Sequence, residues 1–227
     1  MKRNKLLDIW KWGLLISIVG FLGCAGPSLY SVYMYYDADQ ASIPAYLKAD
    51  KASSAIISIA EFTDMRQMDD RLVIGHVLEK DGMKNLVLPK NVKPTKAISK
   101  GIKEYLRKAG YKVSDKIVQW DLKEGTMPKE DFKILIGGNI DELEISCRRD
   151  FPTNTYATNM KLTIVFADMA KGKILYQSKV ESSYTKEYFW FSEENLGEQA
   201  GIALGDAIEK LFEDKVVAQK LKEAIAP

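Results

Sequence analysis

Residues 132–147 read FKILIGGNIDELEISC and predict a β-strand that is long for a globular protein. Its pattern of alternating apolar and polar residues is interrupted near Gly137-Gly138. After this slip the apolar positions are Ile140, Leu143 and Ile145. A slip of this kind is typical of a β-bulge or bend, where an extra residue disturbs the pairing of two strands. The stretch therefore predicts a long, bent strand with one face in the core.

A second and a third strand follow, and they predict a β-hairpin. The apolar residues of the second strand alternate strictly, at Met160, Leu162, Ile164 and Phe166. After the turn at 168–172 the chain resumes as ILYQSKVESSY. Alternating strands joined by a short polar turn containing Gly are the sequence signal of a hairpin. Residues 148–158, RRDFPTNTYAT, then form the connection between the first two long strands.

Two amphipathic helices are predicted on either side of these strands. The apolar residues of the first recur at spacings of three and four: Ile98, Ile102, Tyr105, Leu106 and Ala109. Gly110 follows, where helices commonly end in a left-handed residue. The second helix begins at Ser192, and Gly197, Gly201 and Gly205 allow it to pack closely on the sheet.

Shorter strands are predicted before the first helix, at 55–62 and 72–78, and one begins directly after it at Tyr111. This order of elements predicts an α+β fold, with a mostly antiparallel sheet and two main helices packed on one face. The domain is expected to cover residues 55–214. Residues 24–54 have no clear period and are interpreted as the lipidated cysteine and a surface tether, whose tyrosines could instead lie on the membrane or on the folded body. Residues 215–227 are interpreted as a C-terminal tail, which could continue as a frayed helix.

The first 23 residues have the layout of a secretory signal. Four basic residues precede the uncharged run GLLISIVGFLG at 13–23, which is too short to cross a bilayer as a helix. The next residues, within FLGCAGP at 21–27, resemble a bacterial lipobox, in which the signal is cleaved before a lipidated cysteine. We therefore expect residues 1–23 to be a lipoprotein signal peptide and Cys24 to carry the lipid, including palmitate.

Two alternatives for this region remain open. No charged residue occurs from Trp12 to Tyr36, and aromatic residues stand at both ends of this run, as they do around membrane spans. The chain could thus keep an uncleaved anchor in the inner membrane. A secreted protein cleaved at another position is the third interpretation.

Composition excludes a nucleic-acid partner and leaves one other cysteine. The full chain has a net charge of +2, and removal of four basic and one acidic residue with the signal leaves −1. Nucleic-acid binding would require a strong basic bias. With Cys24 acylated, Cys147 has no partner within the chain. It is expected to be a small core residue or an intermolecular link.

The residues that catalysis and metal binding require are not assembled by the sequence. His76 is the only histidine, so neither a histidine-based metal cluster nor a Ser-His-Asp triad is available. Adjacent carboxylates such as Asp141-Glu142 point apart in a strand and are expected to be solvated. We therefore expect no catalytic residues, no metal site and no cofactor, and interpret the protein as a non-enzyme.

Four consecutive aromatic residues form the clearest candidate surface. They are Tyr188, Phe189, Trp190 and Phe191, between the last long strand and the last helix. Four neighbours cannot all face one core, so some are expected to be exposed, and exposed aromatic residues often bind partners or lipid. They could equally seal the end of the sheet under the helix.

The middle of the chain resembles the YajG-type bacterial lipoproteins over residues 55–185. The matching motifs are Asp64-Met65-Arg66, Ile74-Gly75, the run LRKAGYKV at 106–113 and, more loosely, 138–143. Related strings occur in auxiliary lipoproteins of ABC transporters and in activators of cell-wall synthases. The resemblance implies a lipid-anchored periplasmic domain without enzymatic activity. Asp64 and Arg66 would mark a binding loop in it, or form a local salt bridge.

Together these features predict a non-catalytic envelope lipoprotein, anchored by Cys24 on the periplasmic face of the outer membrane. Ala25 follows the cysteine in place of the Asp that retains enteric lipoproteins in the inner membrane. The domain is expected to bind a protein partner or another envelope component. The alternative is an accessory lipoprotein of a lipid or ABC transport system, which predicts an apolar groove between helix and sheet.

Overall fold

The computed structural model describes residues 28–49 and 55–225, which form one mixed sheet covered by helices. The strands are β1 (Leu29–Val32), β2 (Ile56–Ile59), β3 (Thr63–Asp64), β4 (Gly75–Leu78), β5 (Lys84–Pro89), β6 (Lys112–Val113), β7 (Ile134–Arg149), β8 (Asn154–Asp168) and β9 (Lys173–Tyr188). The helices are α1 (Pro94–Lys108), α2 (Glu193–Glu213) and α3 (Lys215–Ile225). The predicted α+β class is confirmed.

The long strand β7 organises the sheet. Along one edge it pairs antiparallel with the whole of β8, which pairs in turn with β9. Along its other edge the short strands β2, β3 and β4 follow one another, all parallel to β7. The two long pairings are antiparallel, as predicted, and the short strands beside β7 make the sheet mixed. Their parallel direction was not part of the prediction, because alternation within a strand reports which face is buried but not the direction of its neighbours.

The predicted slip in β7 is present, but it lies four residues beyond the Gly137 position. Ile140 pairs with Leu162 and Glu142 with Lys161, so Asp141 is the extra residue of a bulge. The two glycines have another role, since close neighbours leave no room for a side chain. A Cβ on Gly138 would lie 2.4 Å from both the Phe62 ring and the Thr163 carbonyl oxygen.

The sheet is covered differently on its two faces. On one face, residues of all three helices join a single large apolar core with the sheet. On the other face a smaller cluster is closed by the segment between β6 and β7. Its buried members are Ala60, Val118, Trp120, Phe132, Leu135, Val165 and Ala167. This part of the molecule, where β7 begins and both faces are covered, is called the closed end below.

The helix boundaries agree well with the sequence pattern. The predicted first helix is α1, and Gly110 behind it has a φ of +96°, the left-handed conformation expected at that stop. Ser192 caps α2, because its side chain accepts a hydrogen bond from the Asn195 backbone N–H at 3.1 Å. The segment expected to be a C-terminal tail forms the helix α3, as the helical alternative predicted. This helix is packed and not frayed, because its apolar side chains Val217, Ala218 and Leu221 are buried.

The predicted tether is wrong for the residues that the structure describes, and the alternative that its tyrosines lie on the folded body is correct for Tyr30 and Tyr36. Leu29–Val32 adds a strand parallel to β5, and Met34, Tyr36 and Leu47 are buried in the main core. The glycines of α2 face this segment and not the sheet. A Cβ on Gly201 would lie 2.5 Å from the Tyr35 carbonyl oxygen, so the helix can accept the backbone only because glycine stands there. The folded body thus includes 28–49.

Candidate functional site

Several loops and the beginning of β1 meet at the end of the sheet opposite the closed end. Here β7 turns into β8, β4 turns into β5, β9 runs into α2, and β1 begins. These tips carry large apolar side chains that no core covers: Leu29, Phe151, Phe189 and Trp190. We call this surface the aromatic end. It brings together residues that lie up to 161 positions apart in the chain.

The exposure of these side chains is unusually high for their size. Phe151 is 88% exposed, Trp190 85% and Phe189 72%. Large aromatic side chains are normally mostly buried, and exposed ones that cluster mark interaction surfaces. The aromatic end therefore has the composition of a binding surface.

The predicted aromatic run at 188–191 is divided between surface and core. Phe189 and Trp190 face solvent, whereas Tyr188 and Phe191 turn inward. The Tyr188 hydroxyl donates to Glu198 Oε2 at 2.9 Å and accepts from the Gln199 side chain at 3.1 Å. The Phe191 ring packs on Tyr30, with 5.0 Å between ring centroids. Two residues of the run are thus exposed, and the other two close the end of the sheet beneath α2.

Hydrogen bonds fix the backbone of the loops that carry the exposed aromatic residues. The Asn154 side-chain amide donates to the carbonyl oxygens of Tyr188 and Phe189, at 3.3 and 3.1 Å. This ties the β7–β8 loop, which carries Phe151, to the connection that carries Trp190. Preorganised side chains lose less freedom on binding, so a fixed base strengthens any contact they make.

A second polar cluster fixes the start of the chain at the same end. Glu79 accepts hydrogen bonds from Arg149 Nη1 at 2.9 Å, the Tyr30 hydroxyl at 3.1 Å and the Asn85 side chain at 3.0 Å. Burial, reinforced by the hydrogen bond to Glu79, raises the pKa of Tyr30. Asn85 in turn accepts from the Ser28 backbone N–H at 2.8 Å. The first described residue is thereby tied to the aromatic end.

The predicted Asp64 and Arg66 form a local salt bridge inside the body. Arg66 is 3% exposed, and its Nη2 lies 2.7 Å from Asp64 Oδ2. The guanidinium also donates to the carbonyl oxygens of Arg71, Val73 and Leu143. Burial acts to raise the pKa of Asp64, but hydrogen bonds and charge from Arg66 outweigh it and hold the pKa below its ordinary value. These contacts give the pair a structural role in shaping the loop after β3.

The other titratable candidates lie apart from one another. His76 Nδ1 is 3.1 Å from Glu144 Oε1, and both side chains are partly exposed. Asp141 accepts from the Thr163 hydroxyl at 2.6 Å, and Glu142 pairs with Lys161. Within the described ranges, no three His, Cys, Asp or Glu residues stand close enough to hold a metal ion.

Cys147 is buried in the main core. It is 1% exposed, and burial raises the pKa of its thiol to about 11. Its position agrees with the expected small core residue and leaves it out of reach of an external thiol. Cys24 lies outside the described residues.

A groove runs along the outer side of α2, between this helix and residues 31–40. It has a volume of about 920 Å³ and is lined by seven acidic and two basic side chains. Tyr33 and Tyr35 stand at its edge, 53% and 58% exposed. Acidic side chains that line one groove create a local negative potential that favours a cationic ligand.

The sequence did not predict Phe151 or the tyrosines of the groove as candidates. Phe151 stood in RRDFPTNTYAT as a single large apolar residue inside a polar connection, and this mismatch was the available signal. Tyr33 and Tyr35 lie in the segment whose sequence predicts a tether. In the part of the chain that the structure describes, no helix is both long and apolar enough to span a bilayer.

No protein-family model matches the chain, and no curated protein matches it. The fold is similar to that of a solved Xanthomonas campestris protein of the family DUF330. That similarity has a TM-score of 0.52 at 9% identity and covers 86% of this chain and 98% of that chain. At this identity it shows a shared fold alone.

Two other similar structures are bacterial lipoproteins with lower scores. A candidate lipoprotein of Caulobacter crescentus has a TM-score of 0.37 at 10% identity, over 64% of this chain and 91% of that chain. A lipoprotein of Neisseria meningitidis has a TM-score of 0.28 at 12% identity, over 67% and 96%. Both scores are too low to support an inference about this chain.

Proposed function

We propose that the protein is a non-catalytic lipoprotein of the bacterial cell envelope. Cys24 carries the lipid, and the domain binds a protein partner from the periplasmic face of the outer membrane. Within the lipoproteins, the motifs at Asp64-Met65-Arg66 and 106–113 favour a member related to the YajG type.

One structural observation favours lipidation over an uncleaved anchor. Leu29–Val32 is paired in the sheet, and Met34 and Tyr36 are buried in the core. These residues cannot be part of a membrane span at the same time. Of the uncharged run that begins at Trp12, only the 16 residues up to Pro27 remain, and a spanning helix needs about 20 apolar residues. This supports a cleaved signal followed by a short link to the domain.

The acidic groove beside α2 is the surface that we assign to the partner. Its surplus of carboxylates favours a basic segment of the partner protein, and the exposed rings of Tyr33 and Tyr35 supply apolar contact area. Charged side chains along such a surface act mainly on association rate and specificity. The partner is thus expected to bind more weakly at high salt.

The packing of the helices counts against the alternative of lipid handling within the domain. That function requires an apolar groove between helix and sheet. In the described residues this interface is filled: Leu204, Leu211 and Phe212 of α2 are at most 1% exposed against the sheet. A tightly packed interface has no space for an acyl chain.

Lipidation is tested by growing cells that produce the protein with labelled palmitate. We expect label on the wild-type protein, a mature chain that begins at Cys24, and no label on Cys24→Ala. The buried Cys147→Ala provides the matched control and should be labelled like wild type. An unlabelled wild-type protein overturns the lipoprotein proposal.

The membrane of destination is tested by fractionation in an enteric host. We expect the wild-type protein in the outer membrane and the Ala25→Asp variant in the inner membrane. Ala25→Ser serves as the control and should fractionate like wild type. Recovery of the labelled wild-type protein in the inner membrane would contradict this part of the proposal.

The partner surface is tested by photo-crosslinking in intact cells. A photoreactive amino acid at position 202, in the groove, should give a discrete adduct, and one at Lys179, on exposed β9, should not. Glu194→Lys with Glu213→Lys reverses charge in the groove and should abolish the adduct. An adduct that persists in this double variant at wild-type yield would show that the acidic groove does not select the partner.

A further inference from the structure

We propose that the aromatic end is a membrane-seating surface, which places Phe151, Phe189 and Trp190 in the headgroup region of the bilayer that holds the lipid anchor. This inference rests on the proposed lipidation of Cys24. It adds an orientation: the long strands stand upright on the membrane, and the closed end points away from it.

The length of chain between the anchor and the domain carries the argument. Ser28 is fixed at the aromatic end by its hydrogen bond to Asn85. Cys24 precedes it by four residues. Four residues span at most about 14 Å even when fully extended. A lipid on Cys24 therefore holds this end of the domain against the headgroups, and no other end can come as close.

The side chains that the link brings to the membrane suit its interface. Tryptophan combines a large apolar surface with one polar N–H and is enriched where lipid meets water. Phenylalanine adds apolar area, as it does on the membrane-facing side of interfacial helices. Phe151 and Trp190 project from two different loops that Asn154 ties together. Several apolar points on one rigid base can fix the tilt of the domain, which a flexible lipid link alone does not.

Binding of the aromatic end to the bilayer is expected to depend on apolar contact and not on net charge. Lys80 lies over the Phe151 ring, with its Nζ 5.9 Å from the centroid, and Arg148 is close by. Asp81 and Asp150 stand at the same tips, so the local charges nearly balance. The seating should accordingly persist at high salt, in contrast to binding in the acidic groove.

The opposite end of the hairpin provides an internal reference. The turn between β8 and β9 carries Lys171, and Lys173 begins β9 directly after it; both are exposed. A strand as long as β8 spans about 50 Å. A probe at this turn is therefore expected to lie well outside the bilayer in the proposed orientation.

The mature chain allows a direct fluorescence experiment. Of the four tryptophans of the full sequence, Trp10 and Trp12 leave with the signal, and Trp120 and Trp190 remain. Trp120→Phe makes Trp190 the single reporter. Lipidated protein is reconstituted into vesicles of phosphatidylethanolamine and phosphatidylglycerol, with or without bromine atoms near the upper part of the acyl chains. We expect a blue-shifted emission and quenching by about half or more.

The control moves the reporter to the far end. Ile174→Trp is combined with Trp120→Phe and Trp190→Phe, and its emission should not change with brominated lipid. If Trp120→Phe fails to fold, the wild-type protein can be used instead. The difference between its fluorescence in brominated and in plain vesicles reports Trp190, because Trp120 lies buried at the closed end. Both experiments are repeated at high salt, where the quenching should remain.

The outcomes separate this inference from the proposed function. The palmitate label is measured on the same protein, so an unlabelled sample refutes the lipoprotein proposal itself. A labelled sample in which Trp190 is not quenched overturns the seating alone. A blue shift without quenching also overturns it, since the aromatic end is then covered by protein, such as a second copy, and not by lipid.

Discussion

The two ends of the sheet contain the same kinds of side chain in opposite environments. Trp120 at the closed end is 5% exposed, and its indole N–H donates to the Lys123 carbonyl oxygen at 2.9 Å. Trp190 at the aromatic end is 85% exposed. At the closed end the aromatic residues cover the second face of the sheet. At the aromatic end they project from the loops beyond it.

This difference separates residues that hold the fold from residues that are free to bind. Apolar side chains stabilise a fold in proportion to the area that they remove from water. Phe151, Phe189 and Trp190 remove little, so their presence at the surface is not explained by stability. An exposed aromatic cluster without a stabilising role is the usual signature of a contact surface.

The largest expected difference in stability is between two variants that each truncate a tryptophan, one at each end of the sheet. Trp120→Ala should lower the free energy of unfolding by about 3–5 kcal/mol, because it leaves a cavity in the smaller cluster and removes apolar burial. Trp190→Ala should change it by no more than about 0.5 kcal/mol. Urea unfolding followed by circular dichroism measures both. Equal losses in the two variants would erase the distinction between the ends.

The sequence predicted the elements whose signal is local. The strict alternation at Met160, Leu162 and Ile164 identified β8, and helix spacing with Gly110 identified α1. The pairing of β2, β3 and β4 alongside β7 was not predictable. It depends on which distant strands find each other, and no pattern within one strand encodes that choice.

The missed segment 28–49 has a specific cause. Residues 32–36 read VYMYY and alternate between buried and exposed, but a tyrosine can occupy either kind of position. The alternation is therefore invisible in a polarity pattern. The glycines at 197, 201 and 205 were the indirect signal, since a row of glycines leaves a shallow groove on α2 in which another segment can lie closely, here Tyr33, Tyr35 and Tyr36.

The aromatic end was half predictable for a related reason. The run at 188–191 indicated that some aromatic residues must be exposed, because four neighbours cannot share one core. Which two residues face solvent depends on contacts made by other elements. Tyr156 of β8 packs against the Tyr188 ring, and Gln199 of α2 donates a hydrogen bond to its hydroxyl. Phe151 joins the surface only through the pairing of β7 with β8.

A smaller effect is expected for the Asp64–Arg66 salt bridge. This pair lies between the two ends of the sheet and fixes the loop beside β7. Asp64→Asn should lower the free energy of unfolding by about 2–3 kcal/mol, because it leaves the buried guanidinium without its carboxylate. Glu104→Gln is the matched control. Its pair with Lys100, at 3.6 Å on the surface of α1, should contribute less than about 0.5 kcal/mol.

The pH dependence of this pair has a definite sign. The pKa of Asp64 is lowered in the folded protein from its ordinary value of 3.8. Its contribution is therefore complete above about pH 4 and is lost as the pH falls through the lower folded value. Wild-type protein should lose stability faster than Asp64→Asn on acidification below pH 4. Parallel curves for the two proteins would show that the carboxylate adds no pH-dependent stability.

The smallest expected effect divides the aromatic end itself. Tyr188→Phe removes a hydroxyl that donates to Glu198 and accepts from Gln199, a side chain with no exposed surface. The loss should be about 1–2 kcal/mol, because the bond to the exposed Glu198 contributes little and the buried Gln199 amide is left without its partner. Phe189→Ala, one residue later, should change stability by only a few tenths of a kcal/mol and leave the hydrogen bonds of Asn154 to the backbone in place.

These two neighbours should also separate by function. Phe189→Ala removes apolar area from the surface that we place on the bilayer, whereas Tyr188→Phe keeps that surface intact. With Trp190 as the single reporter, brominated lipid should quench Tyr188→Phe like wild type and Phe189→Ala less strongly. If the less stable variant were instead the one that lost quenching, the aromatic end would act through the integrity of the fold and not through its exposed side chains.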